Sequence, residues 1–219
     1  MAHQKFMSPL IIRAILPLAA ILSIGLTSSD SFAGWLIYHK PAFEGKVIDA
    51  ETKEPIEGAV VVAIYNKTLM SLGAGTNSYE IHVRETLTDK DGYFRIPSYS
   101  TIIQPFSWED SATFIIYKPG YGSFPSHQSY PPVLERGAQE SYFTIGLGVE
   151  SEFKRGIGAY QFVKLTAGIV ELPSLHTKKE RLRTIPGTPT FTKSKDLPAL
   201  YGLINEEYAH FGLSPVSRK

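Results

Sequence analysis

The chain has 219 residues, 22 Lys and Arg against 21 Asp and Glu, 12 % aromatic residues and no cysteine. The missing cysteine excludes disulfides, thiolate metal centres, cysteine nucleophiles and a lipid-modified cysteine, so stability has to come from packing. Near-neutral net charge hides an asymmetry. Residues 34–173 carry 12 basic against 16 acidic side chains (net −4), and residues 174–219 carry 8 against 4 (net +4). Four excess charges spread over such a tail are too dilute for a nucleic-acid footprint, which is a clustered basic stripe.

The N-terminus reads as a leader. His3, Lys5 and Arg13 precede an apolar run from Ala14 to Leu26, and Ser31-Phe32-Ala33 places small residues where a signal peptidase reads. A spanning helix needs about 20 apolar residues, so this run is too short for an anchor. The expectation is cleavage after Ala33, an exported chain of 219 − 33 = 186 residues beginning at Gly34, and no membrane span afterwards. Periplasm, cell envelope or exterior is the expected location.

Strand signals follow. Phe43–Asp49 is a short strand entering the polar turn Glu51–Pro55. Gly58–Tyr65 is an unbroken apolar, β-branched run of a length that favours a buried strand over a helix. Thr68–Asn77, small and glycine-bearing, reads as a loop. Tyr79–Leu87 alternates, with Tyr79, Ile81 and Val83 on one face and Glu80, His82 and Arg84 on the other. Thr88-Asp89-Lys90-Asp91-Gly92 is a hairpin-turn signal, with Tyr93, Phe94 and Ile96 opening the return strand. Pro97–Ser111 reads as irregular, Ala112–Tyr117 as a strand stopped by Lys118-Pro119-Gly120, and Gly122–Gln139 as a surface loop. Tyr142–Val149 and Tyr160–Thr166 complete seven expected strands, the pattern of an antiparallel all-β sandwich.

Two helix signals close the chain. Thr177-Lys178-Lys179-Glu180 fits a capping box. Beyond Pro186–Pro189, Asp196 is a candidate cap for a helix in which Leu197, Leu200, Tyr201, Ile204, Tyr208 and Phe211 form one apolar stripe. That stripe either docks on the sandwich or offers itself to a partner. The expected organisation is a leader at 1–33, a sandwich domain at 34–173 with an insertion at about 122–158, and an extension at 174–219.

Four pieces occur in order: Phe43-x-Gly45-x-Val47-x-Asp49, Pro55-Ile56-x-Gly58-Ala59-Val60-Val61, Thr88-Asp89-x-Asp91-Gly92-Tyr93-Phe94 and Tyr117-Lys118-Pro119-Gly120-Tyr121. Together they resemble the carboxypeptidase regulatory-like domain, which implies a transthyretin-like (prealbumin-like) sandwich of about seven strands. The matching residues are turn and strand residues, so the resemblance carries no catalytic residue to this chain. It implies a non-enzymatic accessory, binding or scaffold protein of the bacterial cell envelope, with the insertion and the tail as its departures from the short family form.

Chemistry-bearing residues are sparse. His39, His82, His127, His176 and His210 show no metal-ligand spacing, and His176 with Glu180 supplies only two ligands. Asp89, Asp91 and Gly92 imitate part of a calcium loop whose first and twelfth positions would be Leu87 and Ser98, which cannot supply carboxylates. No Gly-x-Ser-x-Gly is present, and Glu109-Asp110 and Glu206-Glu207 read as surface acids. No metal or cofactor is therefore expected. Asn66-Lys67-Thr68 matches a glycosylation acceptor. Trp108, Tyr121, Phe124 and Tyr130 are candidates to line a ligand groove, which would make the chain a carbohydrate-binding module. A third reading is an accessory subunit of a hydrolase.

Overall fold

A computed structural model describes residues 36–71, 75–126, 134–154, 162–189 and 194–216. The leader, its cleavage site and Tyr130 lie outside the described residues. The fold is mainly β. The strands are β1 (Ile37–Lys40), β2 (Phe43–Asp49), β3 (Val60–Ser71), β4 (Gly75–Leu87), β5 (Tyr93–Ile96), β6 (Tyr99–Ile102), β7 (Ser107–Glu109), β8 (Thr113–Tyr117), β9 (Glu150–Lys154), β10 (Phe162–Thr166) and β11 (Ile169–Leu172). The helices are α1 (Arg136–Thr144), α2 (Lys178–Arg183) and α3 (Pro198–His210).

Two β layers face each other. The first runs β11-β2-β5, and the second runs β4-β3 with β8 and β7 sharing the far edge of β3. The first layer continues past its prolines. Phe43 pairs with Ile96, and three residues upstream Lys40 pairs with Tyr99, so β1-β6 extends the β2-β5 ladder after an interruption at Pro41 and Pro97. Proline has no N–H to give to a ladder, and the break falls where the two prolines stand. Between the layers lie Phe43 and Val47 of β2, Phe94 and Ile96 of β5, Val61, Ala63 and Tyr65 of β3, and Phe114 and Ile116 of β8.

The opposite face of β3 and β8 is buried too. Val60, Val62, Ile115 and Tyr117 pack against Leu197, Leu200, Tyr201 and Ile204 of the terminal helix segment. The molecule therefore has three layers, sheet, sheet and helix. That explains the unbroken apolar run at Val60–Tyr65, since a strand covered on both faces has no side to give to water.

The free edge of β8 is closed by two side chains and a backbone bridge. Gln139 Oε1 accepts from Phe114 N at 2.9 Å and Glu140 Oε2 from Ala112 N at 2.5 Å, both from α1, while Phe124 bridges Ile116. An edge strand left open is a template for aggregation, and here three successive outward N–H groups are taken.

Several expectations are overturned. Tyr142–Val149 is not a strand: Tyr142 and Phe143 sit on α1 and point into the core, where Phe143 meets Phe94, Phe114 and Phe124. An apolar pair on a short helix has no visible period of two or of 3.6. Thr68–Asn77 is not a loop along its described length, because β3 continues to Ser71 and β4 begins at Gly75. Within Pro97–Ser111 the structure places β6 and β7. The sandwich is not wholly antiparallel either, since β11 runs parallel to β2. Eleven strands are formed among the described residues, against seven expected.

The turn at Thr88–Gly92 is real but is no hairpin, because β4 pairs with β3 whereas β5 pairs with β2. It carries the chain from one layer to the other. Asp89 Oδ1 accepts from Asp91 N and Tyr93 N, both at 2.9 Å, and Gly92 adopts φ 76°. A Cβ at Gly92 would stand 2.5 Å from the Val47 carbonyl oxygen, so the position demands glycine for space as well as for φ.

Alternation in β4 is broken by a bulge. Tyr65 pairs with His82 and Asn66 with Glu80, leaving Ile81 as the extra residue. Ile81 consequently packs on the core between the sheets and Val83 on the helix-side core, although they stand only two positions apart, where regular alternation would put them on one face.

Candidate functional site

The tail's apolar stripe is spent on its own sheet. Leu197, Leu200, Tyr201 and Ile204 are each no more than 4 % exposed, and Tyr208 packs on the same cluster half-buried. Phe211 lies at the helix end, against the Arg181 guanidinium and the Lys178 ammonium. The capping box at Thr177 and Glu180 forms as expected and starts α2. Asp196 does not cap α3. Its N-cap is Leu197, without a side-chain bond, and the carboxylate of Glu85 in β4 reaches across to accept from Ala199 N at 2.7 Å and Leu200 N at 3.0 Å. A carboxylate at a helix N-terminus satisfies orphan donors and meets the positive end of the dipole. The acidic body thus receives the tail through one placed acid and an apolar face.

Glu207 was expected at the surface and is buried. Its two oxygens accept from Arg181 Nε at 2.8 Å and Nη2 at 2.6 Å, a bidentate pair that clamps α2 to α3 over Tyr117. Burial raises the Tyr117 phenol above its ordinary range, and Glu207 adds to the effect.

Glu109 and Asp110 part company because adjacent strand residues point to opposite faces. Glu109 turns inward, 2.7 Å from the buried Lys40 ammonium, which also meets Glu140 at 2.8 Å. The network ties β1, β7 and α1 together. Burial and these two carboxylates push the nearby Tyr38 hydroxyl well above its ordinary range. A lysine held by two carboxylates acts as a strut between elements.

Asp110 turns to the outer face. Burial favours its protonated form. Donation from Ser78 Oγ at 2.6 Å and Ser111 N at 2.7 Å, with the Arg136 charge and the Thr68 side chain adding to it, outweighs burial, and the carboxyl is held below its usual range. This outer face is the continuation of the one covered by α3. On it Thr68 is directly opposite both Ser78 of β4 and Trp108 of β7. One row toward the helix, Asn66 pairs with Glu80, and its carbonyl accepts from Asp110 N. One row the other way, Met70 pairs with Thr76 and donates its N–H to the Phe106 carbonyl. Trp108 is 42 % exposed and Phe106 65 % exposed, and Phe106 holds a left-handed φ of 62°. A non-glycine residue with positive φ and a displayed ring is a strained feature that the surroundings have to maintain.

The three groove candidates among the described residues, Trp108, Tyr121 and Phe124, do not converge. Trp108 pairs at Thr68, whereas the strand leading to Tyr121 ends at Tyr117 opposite Val60. Those two points on β3 are eight residues apart, about 26 Å at 3.3 Å per residue. Phe124 is buried in the core at 1 % exposure, and Tyr121 packs half-buried against the same core. Of the three candidates among the described residues, Trp108 is the one whose ring is openly exposed. The glycosylation reading of Asn66 also fails. Its side chain is 3 % exposed and donates to the Ile64 and Ser111 carbonyls.

Among the described residues no group of three or more His, Asp or Glu side chains is gathered as a metal site requires. His82 is half-buried and stacked on Tyr99 at 4.4 Å, and burial and then Arg84 lower its pKa. No described helix is long and apolar enough to cross a membrane. Compared with known proteins, the chain matches no family model, no curated protein and no solved structure.

Proposed function

We propose that the chain is a non-enzymatic, exported binding module of the bacterial cell envelope, built on a transthyretin-like sandwich of the carboxypeptidase regulatory-like kind. Its working surface is the uncovered part of the second sheet's outer face. One observation carries the reading. Trp108 and Phe106 are displayed beside each other on β7 and the turn before it, on a stretch of sheet that the terminal helix leaves open. Neighbouring exposed apolar side chains that form a contiguous patch mark interaction sites more often than single exposed ones do. The ordered motifs of the sequence support the sandwich type, and the leader-like first 33 residues support export.

The test has two parts. Mass spectrometry of the exported protein should find Gly34 at its N-terminus, and an intact Met1 would remove the export claim. A Phe106→Ser, Trp108→Ala double variant should melt as the parent does and lose retention on an envelope fraction. Unchanged retention would place the function elsewhere.

A further inference from the structure

The face beyond α3 is neither plainly apolar nor plainly charged, and its composition by row is informative. The central row presents hydroxyl, hydroxyl and indole: Ser78, Thr68 and Trp108. The row toward the helix has Glu80 and Asp110 at its two ends with the buried Asn66 between them, and the Asp110 carboxylate reaches back across β3 to Ser78. Strands lie about 4.8 Å apart and alternate residues about 6.6 Å apart, so ring and carboxylates share a flat patch roughly 10 Å across.

We infer that this patch binds a flat, β-linked glycan, one pyranose stacking on the Trp108 ring while one of its hydroxyls donates to Asp110. The inference rests on the reading of the chain as a binding module and names the ligand class.

A pyranose has a face of C–H groups and an equatorial rim of hydroxyls. The indole offers an apolar, electron-rich surface to the first, and a carboxylate, which only accepts, suits the second. An ionised carboxylate has about four acceptor positions. Ser78 Oγ takes one on Oδ2, Ser111 N takes one on Oδ1 and the Thr68 side chain donates as well, which leaves about one position for a sugar hydroxyl. Those bonds fix the carboxylate before a ligand arrives, so little side-chain freedom is lost on binding. A few placed polar groups beside an aromatic surface is the usual make-up of a small-ligand site. Flatness selects further. A pleated sheet with one ring projecting accepts a ribbon-like β-linked chain along its whole length, while a coiled α-linked chain touches it at one unit. The surface is open, so binding is weak, in the range of about 10 µM to 1 mM.

The experiment is a titration of the isotope-labelled exported chain, following the indole N–H resonances. The sequence has two tryptophans, Trp35 and Trp108, so Trp108→Phe assigns the reporter. Probes are cellohexaose and chitohexaose, with maltohexaose as the coiled control. A β-linked probe is expected to shift the Trp108 resonance, and maltohexaose to do so at least tenfold more weakly. Trp108→Ala and Asp110→Asn are each expected to weaken the β-linked probe about tenfold. Tyr93→Ala, on an exposed tyrosine of the other sheet, should leave affinity unchanged. Equal response to all three sugars, or equal loss on Tyr93→Ala, overturns the inference. Silence toward every sugar, with Trp108-dependent retention on the envelope fraction intact, overturns the glycan and keeps the binding module. Silence in both assays removes the two readings together.

Discussion

Val60, Val62 and Ile64 occupy the outer face of β3 in its first half, and Asn66, Thr68 and Met70 occupy the same face in its second. The first half is roofed by α3 and dry. The second half is open, and its cross-strand neighbours are Glu80, Ser78, Thr76 and Trp108. One strand thus serves folding at one end and display at the other. The boundary lies at the β4 bulge beside Tyr65 and Asn66, where Asn66 turns its amide back onto two carbonyls. A change from apolar to polar side chains along a single strand marks where cover ends.

Removing the roof tests the first half most severely. Deleting residues 190–219 takes away Leu197, Leu200, Tyr201 and Ile204 and wets the sheet beneath. At about 1.5–3 kcal/mol per large buried side chain, the loss is roughly 6–12 kcal/mol, an upper figure because the unfolded chain already buries some surface. Ordinary domains have about 5–15 kcal/mol in all. The truncated chain is expected to lose cooperative melting by circular dichroism. A melt like that of the parent would show that the helix contributes little and that the two halves do not differ as described.

The clamp beneath the roof ranks next. Arg181→Met leaves the Glu207 carboxylate buried without its cation, which costs about 3–5 kcal/mol when an ion pair loses one partner. Adding Glu207→Leu removes the stranded charge and should return much of the loss. Urea denaturation of the two variants decides the matter, and equal stability of single and double variant would show Glu207 reaching water.

Glu85 is smaller in effect and more specific. Glu85→Ala removes the acceptor for two N–H groups at the start of α3, a loss of about 0.5–2 kcal/mol by analogy with other helix caps. The change should appear as faster amide exchange at Ala199 and Leu200, with the open half of the sheet undisturbed. Exchange that rises equally at Thr68 and Ser78 would mean the halves are not separable.

How much of this was legible varies with the distance over which the signal acts. Phe43–Asp49, the buried run to Tyr65, Ala112–Tyr117, the capping box at Thr177 and the stripe from Leu197 follow from local pattern. What escaped depends on partners far along the chain. Glu85 caps a helix more than a hundred residues away, a pairing no capping motif encodes. The Ile81 bulge inverts the face of one half of β4, so a strict period of two misplaces Tyr79. The crossing at Gly92 looks like a hairpin because Asp-Gly chemistry serves any tight reversal, whichever sheet receives the next strand. At the site, Trp108 was visible as an exposed-ring candidate. Asp110 was not, because adjacent acids reveal their opposite faces only once β7 is known to be a strand. Phe124 and Tyr121 were misread, since loop aromatics and core aromatics look alike until the chain folds back on Ile116.

The smallest expected effect is the sharpest test of the contrast. Trp108→Ala should change stability by no more than about 0.5 kcal/mol, the range of exposed substitutions remote from core, cap or ion pair. A tryptophan packed in the covered half would cost about 3–5 kcal/mol on the same truncation, because the transfer loss and the cavity add. Trp108 sits on a three-residue edge strand with 42 % of its surface open, and its backbone, not its ring, pairs with β3. Thermal melts of Trp108→Ala and of Leu200→Ala, measured side by side, should therefore separate widely, with Leu200→Ala losing about 2–5 kcal/mol. If Trp108→Ala melts as low as Leu200→Ala, the indole belongs to the core, the open half of the face is a second packing surface, and the case for a ligand on it falls.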